Sequence, residues 1–582
     1  MLANPPPKRD VADLARRYRV QPGTPTPGAV ATSTPAAIGS TADFWVADGV
    51  RQRYFQAKAK LLLHSPHVDF RVQQGEIVDE AAAQRSIDGF VKQTMPTIVK
   101  DFGGDRVALD QLRLTILNIR LPGLVGYYSS VDEFPRWVMP FSNERPLIGM
   151  SLQAVQPGSR GYDSGLAHEF EHFVQWRLDP GEETWVNEGT AELAIQAAGL
   201  DPSGNFNSFL QKPDTQLNYW AEQVGDTPPH YGASALFFAY LGERFGGYGI
   251  VGDVLARPER GIAGVDVALK AKASGDLPAS FDAAFRDWSV ANWANGTDTA
   301  DTRYAYQALR GQHMRDEPVA LPTRVAVTLH QYAARYYGLP KNAGGATLTA
   351  EAPPTMPLVG APPRGHAIWW SNRGDSSDSR LTRPLDLTRA TAATLRFSTW
   401  YDLERDFDYA YVAVSEDGGQ SWKTVGGHLA SGADPNGANY GEGLTGKSGA
   451  WVDESIDLSP YAGKKVLLRF EMVTDDAYNG DDFCFDEARV DEVGWRDDGS
   501  GWQAEGFARI DNQVPARLDV RVAARFGRDI KLYEAAAAGP GRLALKLPDE
   551  LSRADSVVAI LSSHTPLTAR TIDATMGLER AP

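Results

Sequence analysis

The chain has 582 residues, 42% of them hydrophobic and 23% charged, an ordinary globular composition and too long for one core, so about two to four domains are expected. Its formal net charge of −16 leaves no basic surplus to neutralise phosphates, which argues against nucleic acid and against an anionic membrane surface as partners. No run of roughly 18 apolar residues exists to span a bilayer, and the single cysteine, Cys484, excludes an intrachain disulfide.

Residues 1–40 read as an N-terminal extension and flexible spacer. "MLANPPPKRDVADLARRYRV" has no apolar signal core, and "QPGTPTPGAVATSTPAA" holds too few large apolar side chains to pack. From Thr41 the pattern changes. "HVDFRVQQG" alternates as a strand does, and Ala81 to Phe102 has helical spacing. Leu112–Leu121 and Arg145–Val155 read as strands. Helical segments follow at Gly165–Arg177, Thr184–Ala198 and Tyr231–Gly246, and a last one, "FDAAFRDWSVANWAN", ends near Asn295. This order predicts an α+β domain over 41–316. Beyond it the helical period disappears. "ATLRFSTWYDL", "YAYVAVSEDGGQSWKTVGG" and "KKVLLRFEMVTDD" alternate between Gly, Asp and Pro turns, which predicts a β-sandwich over 317–493 and a small β domain over 494–582. Cys484, inside "FCFDEARV", reads as a small apolar core residue.

The stretch "LAHEFEHFVQW", Leu166 to Trp176, carries chemistry. His168 and His172 are four apart, so on a helix they share one face, with Glu169 beside the first. Catalytic zinc takes three protein ligands and keeps a fourth position open. Two histidines at this spacing supply adjacent corners, and a free carboxylate can accept the proton of an attacking water. A motif with three fixed positions also arises by chance, and three features weigh against that. Glu188, in "WVNEGTAEL", lies 16 positions beyond His172, far enough for a second helix to return with a third ligand. Glu192 follows on the same face, where a carboxylate can hold a ligand histidine by its other ring N–H. The rest of the first helix is apolar (Leu166, Phe170, Phe173, Val174), so its polar groups are expected at a depth where they need partners.

"HEFEH" followed by "WVNEGTAEL" resembles the gluzincin metallopeptidases. The resemblance implies a zincin-like α+β catalytic domain, hydrolysis of peptide bonds, Zn²⁺ held by His168, His172 and Glu188, Glu169 as general base, and Glu192 behind the ligands. The metzincin pattern fails, because Gln175 and Leu178 stand where it has Gly and His. In gluzincins a Tyr or His on a later helix donates to the oxyanion; "PPHYGASALFF" offers His230 and Tyr231. The aminopeptidase segment Gly-x-Met-Glu-Asn is replaced by "SNERPLIGM", which favours endopeptidase action. The run "GYYSSVDEFPR" and the strands after Glu317 resemble secreted bacterial peptidases of the immune-inhibitor-A type, which implies all-β, jelly-roll-like accessory sandwiches behind the protease domain.

Glu404, Asp406, Asp408, Asp475, Asp476, Asp481 and Asp482 cluster on two loops of the expected sandwich. They are candidates for a structural Ca²⁺, which wants six to eight oxygen ligands; the bland alternative is a solvated acidic loop. "SEDGGQSW", Ser415 to Trp422, is a single Asp-box hairpin and reads as a turn stabiliser. The whole predicts a monomeric zinc peptidase acting on proteins or peptides. It is expected to be secreted or at the cell surface, with the signal peptide absent from this chain. The rival reading is a non-catalytic surface binding or adhesion protein on the same scaffold, which would have no use for Glu169.

Overall fold

The computed structural model describes residues 4–20, 36–109, 112–201, 204–295, 299–309, 312–478 and 480–580; the spacer expected around 21–35 lies outside the described residues. The chain forms two compact units. One comprises Met1–Glu183, Ala194–Pro202 and Ala361–Asp511, the other Thr184–Leu193, Ser203–Gly360 and Asn512–Pro582.

In the first unit, a six-stranded sheet runs in the order Thr41–Asp48, Arg53–His64, Val68–Gln73, Leu114–Ile119, Leu147–Ser151, Gly126–Tyr128. The two central pairings are parallel, and their strands are buried on both faces. The short strand Gly126–Tyr128 closes the sheet as an antiparallel edge. Against the sheet lie the helical stretch that starts at Glu80 and the long helix Arg160–Leu178, which begins a turn before its expected start because Ser159 caps it through the Tyr162 amide. Fully buried Asn118 ties that helix to the sheet: it accepts the Tyr162 hydroxyl at 2.6 Å and donates to the Arg71 carbonyl at 3.0 Å.

The same unit holds a β-sandwich of two six-stranded sheets drawn from residues 368–510. Leu381, Val412, Leu468 and Phe470 of one sheet meet Leu395, Phe397, Phe483 and Phe485 of the other, and the rings of Phe470 and Phe485 stack at 3.9 Å. Cys484 is fully buried here. Asp417 accepts the amides of Gln420 and Ser421 at 3.0 Å, the turn-holding role its motif suggested.

Residues 4–20, read from sequence as part of an extension, belong to this sandwich. Val11, Leu14 and Ala15 of the helix Val11–Tyr18 pack against Tyr409, Tyr411 and Val473. Arg17 reaches Asp378 and Glu471 at 2.8 Å each, both carboxylates fully buried. Lys8 pairs with Asp179 at 2.5 Å, at the C-terminal cap of the Arg160–Leu178 helix.

The second unit contains the helices Asn205–Gln211, Pro228–Arg244, Gly249–Leu255, Gly261–Lys272 and Phe281–Ala294. It also takes the start of the helix Thr184–Ala197, whose Trp185 stacks on Phe238 at 5.6 Å. Gly189 of that helix sits so close to the next one that a Cβ there would lie 2.6 Å from the Ser234 Cβ. Its β portion has two five-stranded sheets. One runs Ala536–Gly539, Arg542–Lys546, Thr347–Glu351, Ile572–Glu579, Thr323–Leu329; the other runs Asp529–Glu534, Leu518–Phe526, Ser556–Ser563, Ala334–Gly338, Glu317–Pro318. Strands of 317–351 therefore pair with strands of 518–579, on either side of the 368–510 sandwich in sequence. The linear division at 317–493 and 494–582 does not describe this pairing: alternation shows which face of a strand is buried, whereas its partner is chosen by contacts far away in sequence.

Candidate metal centre

The helix Arg160–Leu178 has an apolar face, with Leu166, Phe170, Phe173 and Val174 buried, and Phe170 meeting Phe90 edge-on at 5.3 Å. That face fixes the helix rotation and turns His168 and His172 together on another side. Their Nε2 atoms are 3.1 Å apart and the rings stand at 88°. His168, His172 and Glu188 each offer a ligand atom within 4.8 Å of one another.

The donor set suits zinc. Two nitrogens bound at 2.0–2.1 Å to one tetrahedral ion lie about 3.3 Å apart, close to the 3.1 Å seen here. Two neutral imidazoles and one carboxylate make a mixed N/O set of the catalytic type, and they leave the ion a net positive charge.

Glu169 faces the sheet edge. It is 8% exposed, and its Oε2 accepts the Tyr128 amide at 2.8 Å. Gly126 permits this approach, since a Cβ there would lie 3.0 Å from Glu169 Oε1 and 3.0 Å from the Met150 sulfur. This edge strand was invisible to sequence reasoning. "GYYSS" is too short to show a period, and the glycine beside an aromatic pair was its only signal.

The remaining predicted residues fall in the second unit or the sandwich. Glu192 is buried and accepts from Asn205 Nδ2 at 3.5 Å. His230 and Tyr231 occupy the first turn of the helix Pro228–Arg244. Burial holds the His230 pKa down at about 4, so the ring is neutral near pH 7; its Nδ1 faces the Gln216 carbonyl at 3.2 Å. The Tyr231 ring stands edge-on to Trp220 at 4.7 Å.

Of the seven acidic candidates in the sandwich, Glu404, Asp408 and Asp475 bring oxygens within 4.8 Å of one another. Asp406, Asp476, Asp481 and Asp482 are outside that group. Asp408 is fully buried; its Oδ1 accepts the Asp475 amide at 2.8 Å, while its Oδ2 has no hydrogen-bond partner among the described residues. Burial, then Asp475 and Glu404, push its pKa well above the carboxylate range. Three carboxylates cannot all ionise at that depth unaided, and a hard divalent cation with oxygen preference fits them.

A family model described as "Immune inhibitor A-like, MAM domain" matches residues 353–512. The chain is 34% identical over 133 residues to Pre-pro-metalloprotease PrtV of Vibrio cholerae serotype O1, covering 23% of this chain and 14% of that protein. It is 40% identical over 116 residues to Immune inhibitor A of Bacillus thuringiensis subsp. alesti, 20% of this chain and 16% of that protein. It is 28% identical over 117 residues to Bacillopeptidase F of Bacillus subtilis, 20% of this chain and 7% of that protein. The chain thus spans less than a fifth of the length of each of these relatives, and the matches lie in the MAM-like region. Among the described residues no helix is long and apolar enough to cross a membrane.

Proposed function

We propose that the chain is an exported zinc-dependent peptidase, an endopeptidase acting on protein or peptide chains. The observation that carries the reading is the convergence of His168, His172 and Glu188 within 4.8 Å while Glu169, next to the first ligand, is lodged against a sheet edge. Zinc, when bound, supplies a Lewis acid that acidifies water and polarises a scissile carbonyl. His168 and His172 would hold it through Nε2, and Glu188 through a carboxylate oxygen. Glu169 takes the proton of the attacking water at a carboxylate oxygen and returns it to the leaving amine. The edge strand Gly126–Tyr128 offers an extended backbone beside that carboxylate, suited to aligning an extended substrate. Of the two oxyanion-donor candidates Tyr231 is the stronger. A neutral imidazole has a single N–H, and in His230 Nδ1 directs it at Gln216. Similarity to proteins named as metalloproteases supports the reading from outside the site.

Casein hydrolysis tests it directly. The purified chain should cleave casein, lose that activity to a zinc chelator, and regain it with added zinc. A zinc-loaded protein that leaves denatured protein intact would overturn the reading and favour the binding-protein alternative.

The sandwich is proposed to hold Ca²⁺ at Glu404, Asp408 and Asp475. A calcium-selective chelator should then lower the thermal midpoint while zinc stays bound. The loss should correspond to about 3 kcal/mol if Ca²⁺ had been present at roughly a hundred times its Kd. An unchanged midpoint removes the calcium site.

A further inference from the structure

We infer that Tyr128, Glu133 and Arg177 form a clamp that positions Glu169. The inference rests on the peptidase reading above, in which Glu169 is the base.

The carboxylate of Glu169 is anchored by a main-chain donor, the Tyr128 amide at 2.8 Å. That amide belongs to a three-residue strand at the edge of the sheet, paired among the described residues on one side only, with Leu147–Ser151. A strand so short and one-sided does not hold an amide to a few tenths of an ångström by its ladder alone. Its outer end is held by its own side chain. The Tyr128 hydroxyl donates to Glu133 Oε1 at 2.7 Å, and the other oxygen of Glu133 pairs with the Arg177 guanidinium. Arg177 sits on the same helix as Glu169, about two turns further on. Its guanidinium lies 4.7 Å over the Phe173 ring, and Phe173 meets the Tyr128 ring edge-on at 5.9 Å.

The contacts close a ring. It leaves the helix at Glu169, crosses to the strand through the Tyr128 amide, passes down the Tyr128 side chain to Glu133, and returns to the helix at Arg177. Glutamate has three rotatable side-chain bonds, and a base that must meet a water at hydrogen-bond distance benefits from one oxygen being fixed. Arg177 and Glu133 are partly exposed, 38% and 13%. As an isolated surface pair they would contribute little to stability. Their role in the ring is geometric, and they are positioning residues.

The test uses the full chain with Tyr128→Phe, which removes only the hydroxyl, and Glu133→Ala, which keeps the ring and its hydroxyl. Two quantities are read: hydrogen exchange at the Tyr128 amide in metal-free protein, and kcat and KM on a peptide substrate with zinc. Exchange at Tyr128 should rise roughly fivefold, the worth of about one ordinary hydrogen bond. The kcat should fall on the order of 10- to 100-fold, the usual cost of losing a supporting partner, with KM little changed. Arg177→Met should behave like Tyr128→Phe, whereas Arg177→Lys, which keeps a cation on Glu133, should restore most of kcat. Unchanged exchange overturns the clamp. Faster exchange with unchanged kcat, or a rise in KM alone, overturns its role toward Glu169. A wild-type chain that cleaves nothing sinks the peptidase reading instead, and the exchange measurement, which needs no turnover, tells the two failures apart.

Discussion

Glu169→Gln is expected to keep about one zinc per chain and an intact fold while kcat falls by on the order of 10²–10⁴, the usual contribution of a general base. The expectation follows from where the carboxylate lies. Glu169 bonds the Tyr128 amide at the sheet edge, and the group of ligand atoms is His168, His172 and Glu188. An amide oxygen can still accept from Tyr128, so glutamine preserves the packing and removes only the proton acceptor. Glu188→Ala should do the reverse. It removes a ligand, so zinc binding itself weakens and excess zinc restores activity only in part. Glu192→Ala should be milder, about 10- to 100-fold at most. Metal content of the purified variants, set beside their kcat, separates the cases. Full zinc and full activity in Glu188→Ala would move the third ligand elsewhere and end the gluzincin assignment.

The second large effect is on stability. Arg17→Met should cost about 3 kcal/mol, the low end of the range for breaking a buried ion pair, because Arg380 stays on Asp378 and Arg469 on Glu471. Arg17 meets two fully buried carboxylates, Asp378 and Glu471, at 2.8 Å each. Methionine fills part of the volume and leaves both acids without that cation. Burial alone would raise the Glu471 pKa, but Arg17 and then Arg469 outweigh it and hold it at about 2. An unfolded glutamate titrates near about 4.3. The Glu471 contribution is therefore present above that value and is lost as pH falls toward about 2. The variant should lose the Arg17 share of this acid dependence along with stability, while Arg469 keeps its own. Because the chain has two units, a global melting curve can hide the change; hydrogen exchange in the strand Lys465–Val473 reports on the sandwich itself. Protection there equal to wild type would show that Arg17 is dispensable.

The motif helix was legible from sequence because its signals are local. The spacing of His168 and His172 and the apolar Leu166, Phe170, Phe173 and Val174 are readable within a few turns. Glu188 was readable as a candidate because its own segment, "WVNEGTAEL", carries the signal 16 positions beyond His172. The edge strand Gly126–Tyr128 was not legible, since three residues carry no period, and with it Tyr128 and Glu133 were missed. The seven acidic candidates show the same limit. Composition found the two loops, but only their folding distinguishes Glu404, Asp408 and Asp475 from the four beside them. The strands of 317–351 were recognised as strands and given the wrong neighbours, because their partners come after residue 517 and no local pattern encodes that distance. The helix Val11–Tyr18 was passed over beside a Pro-rich stretch; its evidence was the run of Val11, Leu14 and Ala15 on one face, weak until Tyr409 and Tyr411 are known to receive it.

That helix imposes an order on biosynthesis. Arg17 and Glu471 are 454 residues apart in sequence. At a ribosomal pace of about 5–20 residues per second, Arg17 waits roughly 20 to 90 seconds before its acceptor has been made. Through that interval Arg17 has none of its sandwich partners, and the strands that receive it must recapture a segment that left the ribosome long before. Chain connectivity keeps that segment nearby, at a local concentration no separate peptide would reach. The sandwich of this chain is thus completed by a segment synthesised well before any of its own strands.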